Sequence, residues 1–202
     1  MATAGSKIEA ALRLVKDGGT LRPRDLAAHA IPADYLDRLA RRGVIKRVAR
    51  GVYGWPDAEV TEHHSLAEVA RSIPAGVVCL VSALQFHGLT TQIAHEVWVA
   101  LPSKAWAPKV KSPKVRVMRF SGPSLREMVE EHTLEKARVR VYSPAKTVAD
   151  CFKFRNAVGL DVAIEALRDC WRKKMATMDD LCAAAKVCRM ANVMRPYIES
   201  VV

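Results

Sequence analysis

Apolar residues at Ile8, Ala11, Leu12 and Val15 share one face at helical spacing, so the segment from Ile8 to Val15 predicts a helix. Asp17-Gly18-Gly19 ends it. Thr20 then precedes a second short helix, with Pro23 near its first turn and Leu26, Ala27 and His29 following. Ile31-Pro32 interrupts that helix, because the residue before a proline is pushed out of the helical region. A third helix is expected from about Ala33 to Arg42, closed by Gly43. Two short β-compatible runs come next, Val44 to Val48 and Gly51 to Trp55, joined through Ala49-Arg50-Gly51. Three short helices followed by a tight hairpin predict a winged helix-turn-helix.

Trp55-Pro56-Asp57 reads as the exit from that module, which divides the chain into a domain at 1–56 and a larger one at 57–202. The larger part opens with a helix near Ser65 to Ser72, a turn at Pro74-Ala75-Gly76, the apolar run Val77 to Leu80 and a helix through Ser82-Ala83-Leu84. His95 to Leu101 and Val115 to Phe120 alternate as strands do, and Arg138 to Tyr142 predicts a third strand. The stretch between the first two, PSKAWAPKVKSP, is rich in proline and lysine and predicts a loop. From Ser143 the pattern turns helical to the end, with breaks at Val158-Gly159, Ala176-Thr177 and Asn192. The expected fold class is α+β: an N-terminal winged helix-turn-helix, then a mixed α/β domain with a small sheet and a helical C-terminal third.

Charge sharpens the reading of the third helix. Leu36, Leu39, Ala40 and Gly43 cluster on one side, and Asp34, Arg38, Arg41 and Arg42 fall on the other. A recognition helix needs this layout, an apolar face to anchor it and donors free to reach base edges and phosphates. Arginine suits the task because its planar fork grips guanine or phosphate with two parallel bonds. From Pro32 to Arg50 six basic residues face two acidic ones, and Lys46, Arg47 and Arg50 lie on or beside the hairpin. The candidate DNA-binding set is therefore Tyr35, Arg38, Arg41, Arg42, Lys46, Arg47 and Arg50. The bland alternative is a solvated helix face with Asp34 pairing Arg38 across one turn. The whole chain carries +11, which favours polyanionic partners, DNA or RNA ahead of an anionic membrane.

A second basic cluster runs from Lys104 to Arg119, with six positive charges and no negative ones. Lys104, Lys109, Lys111 and Lys114 form a possible secondary surface for DNA or an acidic partner, or merely protect a sheet edge.

Four blocks bear a family likeness. The runs RLARRGVIKRVARGVYGWP (38–56), SALQFHGL (82–89), HEVWVALP (95–102) and VRVYSPAKTVADCFKFR (139–155) resemble, in order, the AbiE-type antitoxins. The helical tail containing MRPYIE (194–199) continues the resemblance, which spans nearly the whole chain. These antitoxins are regulators of type IV toxin–antitoxin systems. The resemblance implies a winged helix that represses its own operon and a C-terminal domain that counters a nucleotidyltransferase-like toxin, with direct contact to the toxin left open. Double-stranded DNA of its own promoter, containing repeats and bound by a homodimer, is the expected partner.

The SPAKTVADCFKFR block also has a physical reading. Ser143 suits an N-cap and Pro144 the first helical position. Val148, Cys151 and Phe152 share a face, with Lys146, Asp150 and Lys153 pointing the other way as a possible functional surface of the antitoxin domain. A scaffold role for the block is the competing view.

Signatures of catalysis are missing. The sequence holds no acidic residue two places before a lysine, as a restriction-type nuclease needs, no Gly-Lys pair for a P-loop and no GxSxG elbow. His63-His64 are helix neighbours pointing about 100° apart, which one ion cannot easily use together. His87, in an apolar helix, reads as a packed histidine. The expectation is no catalytic residues, no metal and no cofactor. Five cysteines without CxxC spacing predict buried reduced thiols. The N-terminus lacks the apolar core of a signal peptide, and the run Val77 to Phe86 is too short to span a bilayer, so a cytoplasmic protein without membrane contact is expected. The alternatives are a plain winged-helix repressor whose larger domain dimerises or senses a ligand, and a DNA-targeted nuclease.

Overall fold

The computed structural model describes residues 4–18, 20–27, 29–49, 51–55, 63–92, 94–106, 108, 110 and 113–201. The expected junction at Pro56-Asp57 lies outside them. Two compact units divide the chain, one of residues 1–64 with 135–137, the other of 65–134 with 138–202.

The first unit begins with helix α1 (Ala4–Gly18) and strand β1 (Thr20–Leu21). Helices α2 (Pro23–Ala27) and α3 (Asp34–Arg41) follow, then strands β2 (Lys46–Ala49) and β3 (Val52–Gly54). The three strands make an antiparallel sheet in the order β1-β3-β2. Strand β1 is an addition to the sequence reading, which placed Thr20 at the entry to a helix. Two residues are too few to show alternation, and only pairing with β3 makes them a strand. Ala11, Val15, Leu21, Leu26, Ile31, Leu36, Leu39, Ile45 and Tyr53 form the buried core. At the start of α2, the Arg22 amide donates to the Asp25 carboxylate at 2.8 Å, satisfying a donor the helix leaves open.

The second unit holds α4 (His64–Ser72, its first residue counted with the other unit), β4 (Val77–Val78) and α5 (Leu80–Phe86). Strands β5 (Val97–Pro102) and β6 (Val115–Phe120), the short helix α6 (Pro123–Arg126), and strands β7 (Val129–Leu134) and β8 (Ala137–Tyr142) follow. Helices α7 (Pro144–Lys153), α8 (Arg155–Val158), α9 (Leu160–Arg172), α10 (Met178–Val187) and α11 (Ala191–Val201) complete it. Its five-stranded sheet is mixed, in the order β6-β5-β4-β8-β7. β4 runs antiparallel to β5 and parallel to β8, and β5 runs parallel to β6. β6 and β7 are therefore the edges. β7 and β8 join through Glu135 and Lys136, whose φ values of 46° and 60° are those of a tight hairpin turn.

Helix α7 is the centre of this unit and packs on α5, α9, α10 and α11. Ser143 caps it, its side chain accepting from the Lys146 amide at 3.4 Å, and Pro144 occupies the first turn. Every residue from Ala145 to Phe152 is buried, so the helix has no solvent face in that span. All five cysteines are unpaired; Cys79, Cys151, Cys170 and Cys188 are buried and Cys182 on α10 is exposed. None of the described helices is long and apolar enough to cross a membrane.

Candidate nucleic-acid interface

Helix α3 is fixed from three directions. Leu36 and Leu39 sink into the core of the first unit, and each fully buried leucine contributes about 1.5–3 kcal/mol. At its end, Gly43 turns the chain with φ of 71°, its amide bonding the Ala40 carbonyl and the Val44 amide that of Leu39. That double bond satisfies the last carbonyls and delivers the chain directly into β2. From the side, the Tyr53 hydroxyl of β3 donates to the Asp37 carboxylate. This bond, then burial, pushes the Tyr53 pKa up, while the positive charge of Arg47 opposes the rise. The Tyr53–Asp37 link between sheet and helix is a feature the sequence reading missed. Tyr53 looked like one more apolar strand position, and nothing local tied it to a residue sixteen places earlier.

With Leu36 and Leu39 inward, the polar positions of α3 face solvent. Asp34, Asp37, Arg38, Arg41 and Arg42 are exposed, and so are Lys46 and Arg47 on β2. The Arg38 guanidinium lies 4.3 Å from the ring centre of the half-buried Tyr35 and 4.0 Å from Asp34. With both charged side chains more than half exposed, the ion pair contributes little and leaves the guanidinium available. Stacking on Tyr35 holds its plane without using its donors. Arg50, the remaining member of the expected set, lies outside the described residues.

In the second unit, Lys104 and Lys114 are exposed, whereas Lys109 and Lys111 lie outside the described residues. The outward face expected for Lys146 and Asp150 is corrected. Both are fully buried, because α7 has neighbours on every side and its polar stripe packs inside rather than toward water. The Lys146 Nζ and an Asp150 oxygen lie 2.5 Å apart, and the other oxygen accepts from the Cys188 thiol at 3.2 Å. Nζ also sits 4.1 Å from the ring centre of Tyr142 and 5.2 Å from that of Phe120. Burial raises the Asp150 pKa and the Lys146 charge opposes it. Burial beside that carboxylate pushes the Cys188 thiol up to about 12, so it stays protonated and donates. Lys153 is half-buried, bonding the Ser124 hydroxyl at 3.3 Å. The cluster is a satisfied knot at the heart of a fold, closed to any partner.

His87 and His64 are similarly occupied. His87 Nε2 donates to the Tyr142 carbonyl at 2.7 Å, and burial lowers its pKa, so the imidazole is neutral. His64 Nδ1 lies 2.8 Å from the Glu135 carboxylate. Among the described residues, no three of His, Cys, Asp and Glu gather as a metal site.

Three helices, a three-stranded sheet and a hairpin directly after the third helix define a winged helix-turn-helix unit, here joined to an α/β unit in an α+β protein. A family model described as "Transcriptional regulator, AbiEi antitoxin" matches residues 9–54, which contain α2, α3 and both hairpin strands. The whole chain is similar in fold to the RV2827C protein from Mycobacterium tuberculosis, with a TM-score of 0.60 and 13% sequence identity. That likeness covers 96% of this chain and 77% of the other. No curated protein matches.

Proposed function

We propose that the protein is the antitoxin of a type IV toxin–antitoxin system and represses its own promoter through the winged helix. The observation that carries this reading is the outward row of Arg38, Arg41 and Arg42 on a helix anchored by Leu36 and Leu39, continued by Lys46 and Arg47. α3 enters the major groove, where Arg38 and Arg41 read base edges, with Tyr35 orienting Arg38. Arg42, Lys46, Arg47 and Arg50 neutralise phosphates. A homodimer engages repeated sites, residues 1–56 supply the DNA contacts, and residues 57–202 counter a nucleotidyltransferase-like toxin without catalysis of their own. The match of residues 9–54 to an antitoxin regulator family supports the first half of this reading.

Gel shifts on the protein's own promoter test it. Arg38→Ala or Arg41→Ala weakens specific binding by about 1–3 kcal/mol where the residue reads a base. Arg47→Ala lowers affinity on every sequence and reduces the salt slope by about 0.9 for each phosphate it no longer neutralises. Promoter binding by the combined alanine variant as tight as the parent's refutes the recognition-helix assignment.

A further inference from the structure

Helices α10 and α11 play no part in the promoter reading, and a cleft of about 590 Å³ lies between them. Its wall on α10 is made by Met178, Cys182, Ala185 and Lys186. Its wall on α11 is made by Ala191, Arg195, Ile198 and Glu199. On each helix the four positions fall at i, i+4, i+7 and i+8, a spacing that sets side chains in one row along a single face. The walls are therefore two continuous rows, joined at one end by the turn at residues 188–190.

The chemistry changes along the cleft. Ala185 and Ile198 are buried in the core of the unit and make an apolar floor, with Met178 half-buried against the same core. Cys182 and Ala191 are exposed but short, which leaves open the space that longer side chains would fill. The cations stand toward the turn. Lys186 lies on the last turn of α10, and Arg195 lies one helical turn into α11. Both are exposed. Arg195 donates to Glu199 through Nε, at 3.2 Å. With those two side chains 75% and 67% exposed, the pair contributes little and opens readily to another acceptor. Two cations against one carboxylate leave a single positive charge above the apolar floor.

We infer that the cleft between α10 and α11 binds an amphipathic monocarboxylate, with its alkyl chain on Ala185, Met178 and Ile198 and its head held by Lys186 and Arg195. Ligand sites are concave and mostly apolar, with a few polar groups that fix orientation, and the size and lining of this cleft are of that kind. From Met178 to Lys186 the row runs about 12 Å, at about 1.5 Å per residue, the length of a medium alkyl chain. Each methylene removed from water strengthens binding by up to about fourfold. The arginine fork suits a carboxylate head, which it can hold with two parallel bonds. An alcohol of the same length gains the floor but not the cations, and an alkylamine is repelled by them. Glu199 disfavours a dianion. The site does not rest on promoter recognition and persists when the arginines of α3 are removed.

Isothermal titration calorimetry of the full chain with decanoate, decanol, decylamine and acetate tests the site. Decanoate saturates one site and binds roughly tenfold tighter than decanol, an advantage that shrinks as salt is raised. Octanoate binds more weakly than decanoate by roughly tenfold, while acetate and decylamine give no measurable heat of binding. Lys186→Ala with Arg195→Ala brings decanoate down to the level of decanol and leaves decanol unchanged. Cys182→Trp, which fills the cleft from an exposed position, removes the binding of both. Thermal melts verify that these exposed substitutions leave the fold intact. Decanoate that fails to saturate a single site overturns the inference, as does decanol binding equally well or decanoate affinity unchanged in either variant. A parent dimer that Cys182→Trp splits into monomers in sedimentation makes a second copy the occupant, and that too overturns it.

Discussion

Lys146 and Asp150 show how one residue pair reads differently in sequence and in space. Their shared face across one helical turn was legible; their burial was not, because it depends on α5, α9, α10 and α11 closing around the helix. A buried ion pair is costly to break and contributes little net stability when intact. Lys146→Met alone leaves a carboxylate without its cation and lowers the unfolding free energy by about 3–5 kcal/mol. Combining it with Asp150→Leu recovers most of that loss, measured by urea denaturation as a double-mutant cycle. Additive losses in the cycle refute the coupling. His87 yields a pH prediction. Its folded pKa lies below the ordinary 6.5, so its neutral form contributes stability above that value, and this is lost as pH falls through the lowered one. The melting temperature therefore declines on mild acidification, and less steeply in His87→Gln, which keeps a donor for the Tyr142 carbonyl.

Among the elements, those with strong local signals were the ones read correctly. Gly43 announced the end of α3, and Ser143-Pro144 the start of α7. β7 went unseen because VEEHTL sets two glutamates and a histidine in an edge strand whose alternation is only partly buried. The break at Ala176-Thr177 falls between α9 and α10, but the one expected at Asn192 lies inside α11, because the chain turns earlier, at Cys188 to Met190; the geometry of either helix end was not legible. Each closes as α3 does, with Lys174 (φ 54°) and Arg189 (φ 59°) in the left-handed position that glycine fills at Gly43. A side chain there costs about 1 kcal/mol relative to glycine. Arg189→Gly accordingly raises stability by up to about that amount, and Gly43→Ala lowers it similarly, since open space around the Gly43 Cβ position leaves only the backbone cost. Chemical denaturation of both variants, with opposite signs expected, checks the pair.

At the scale of the molecule, each unit has its own buried core. The exposed basic residues of α3 and β2 in the first unit were legible because the helix and the hairpin are contiguous in sequence. Candidates in the second were not, since its sheet order β6-β5-β4-β8-β7 assembles distant segments. Under the proposed function the two activities separate physically. Residues 57–202 expressed beside the toxin rescue growth without repressing a promoter reporter, and residues 1–56 repress without rescuing. Rescue by the N-terminal piece alone would mean that toxicity is controlled only through transcription, removing the role assigned to the larger part.

The thiols have a practical consequence. Four cysteines are sealed in the interior, and burial, then the nearby Asp150 charge, pushes the pKa values of Cys79 and Cys151 well up, which suppresses the reactive thiolate. Cys182 alone meets solvent, on the α10 surface. The unaltered chain therefore carries its own attachment point: a maleimide dye, a spin probe or a surface tether joins it at one defined position, far in sequence from α3, with no engineered residue.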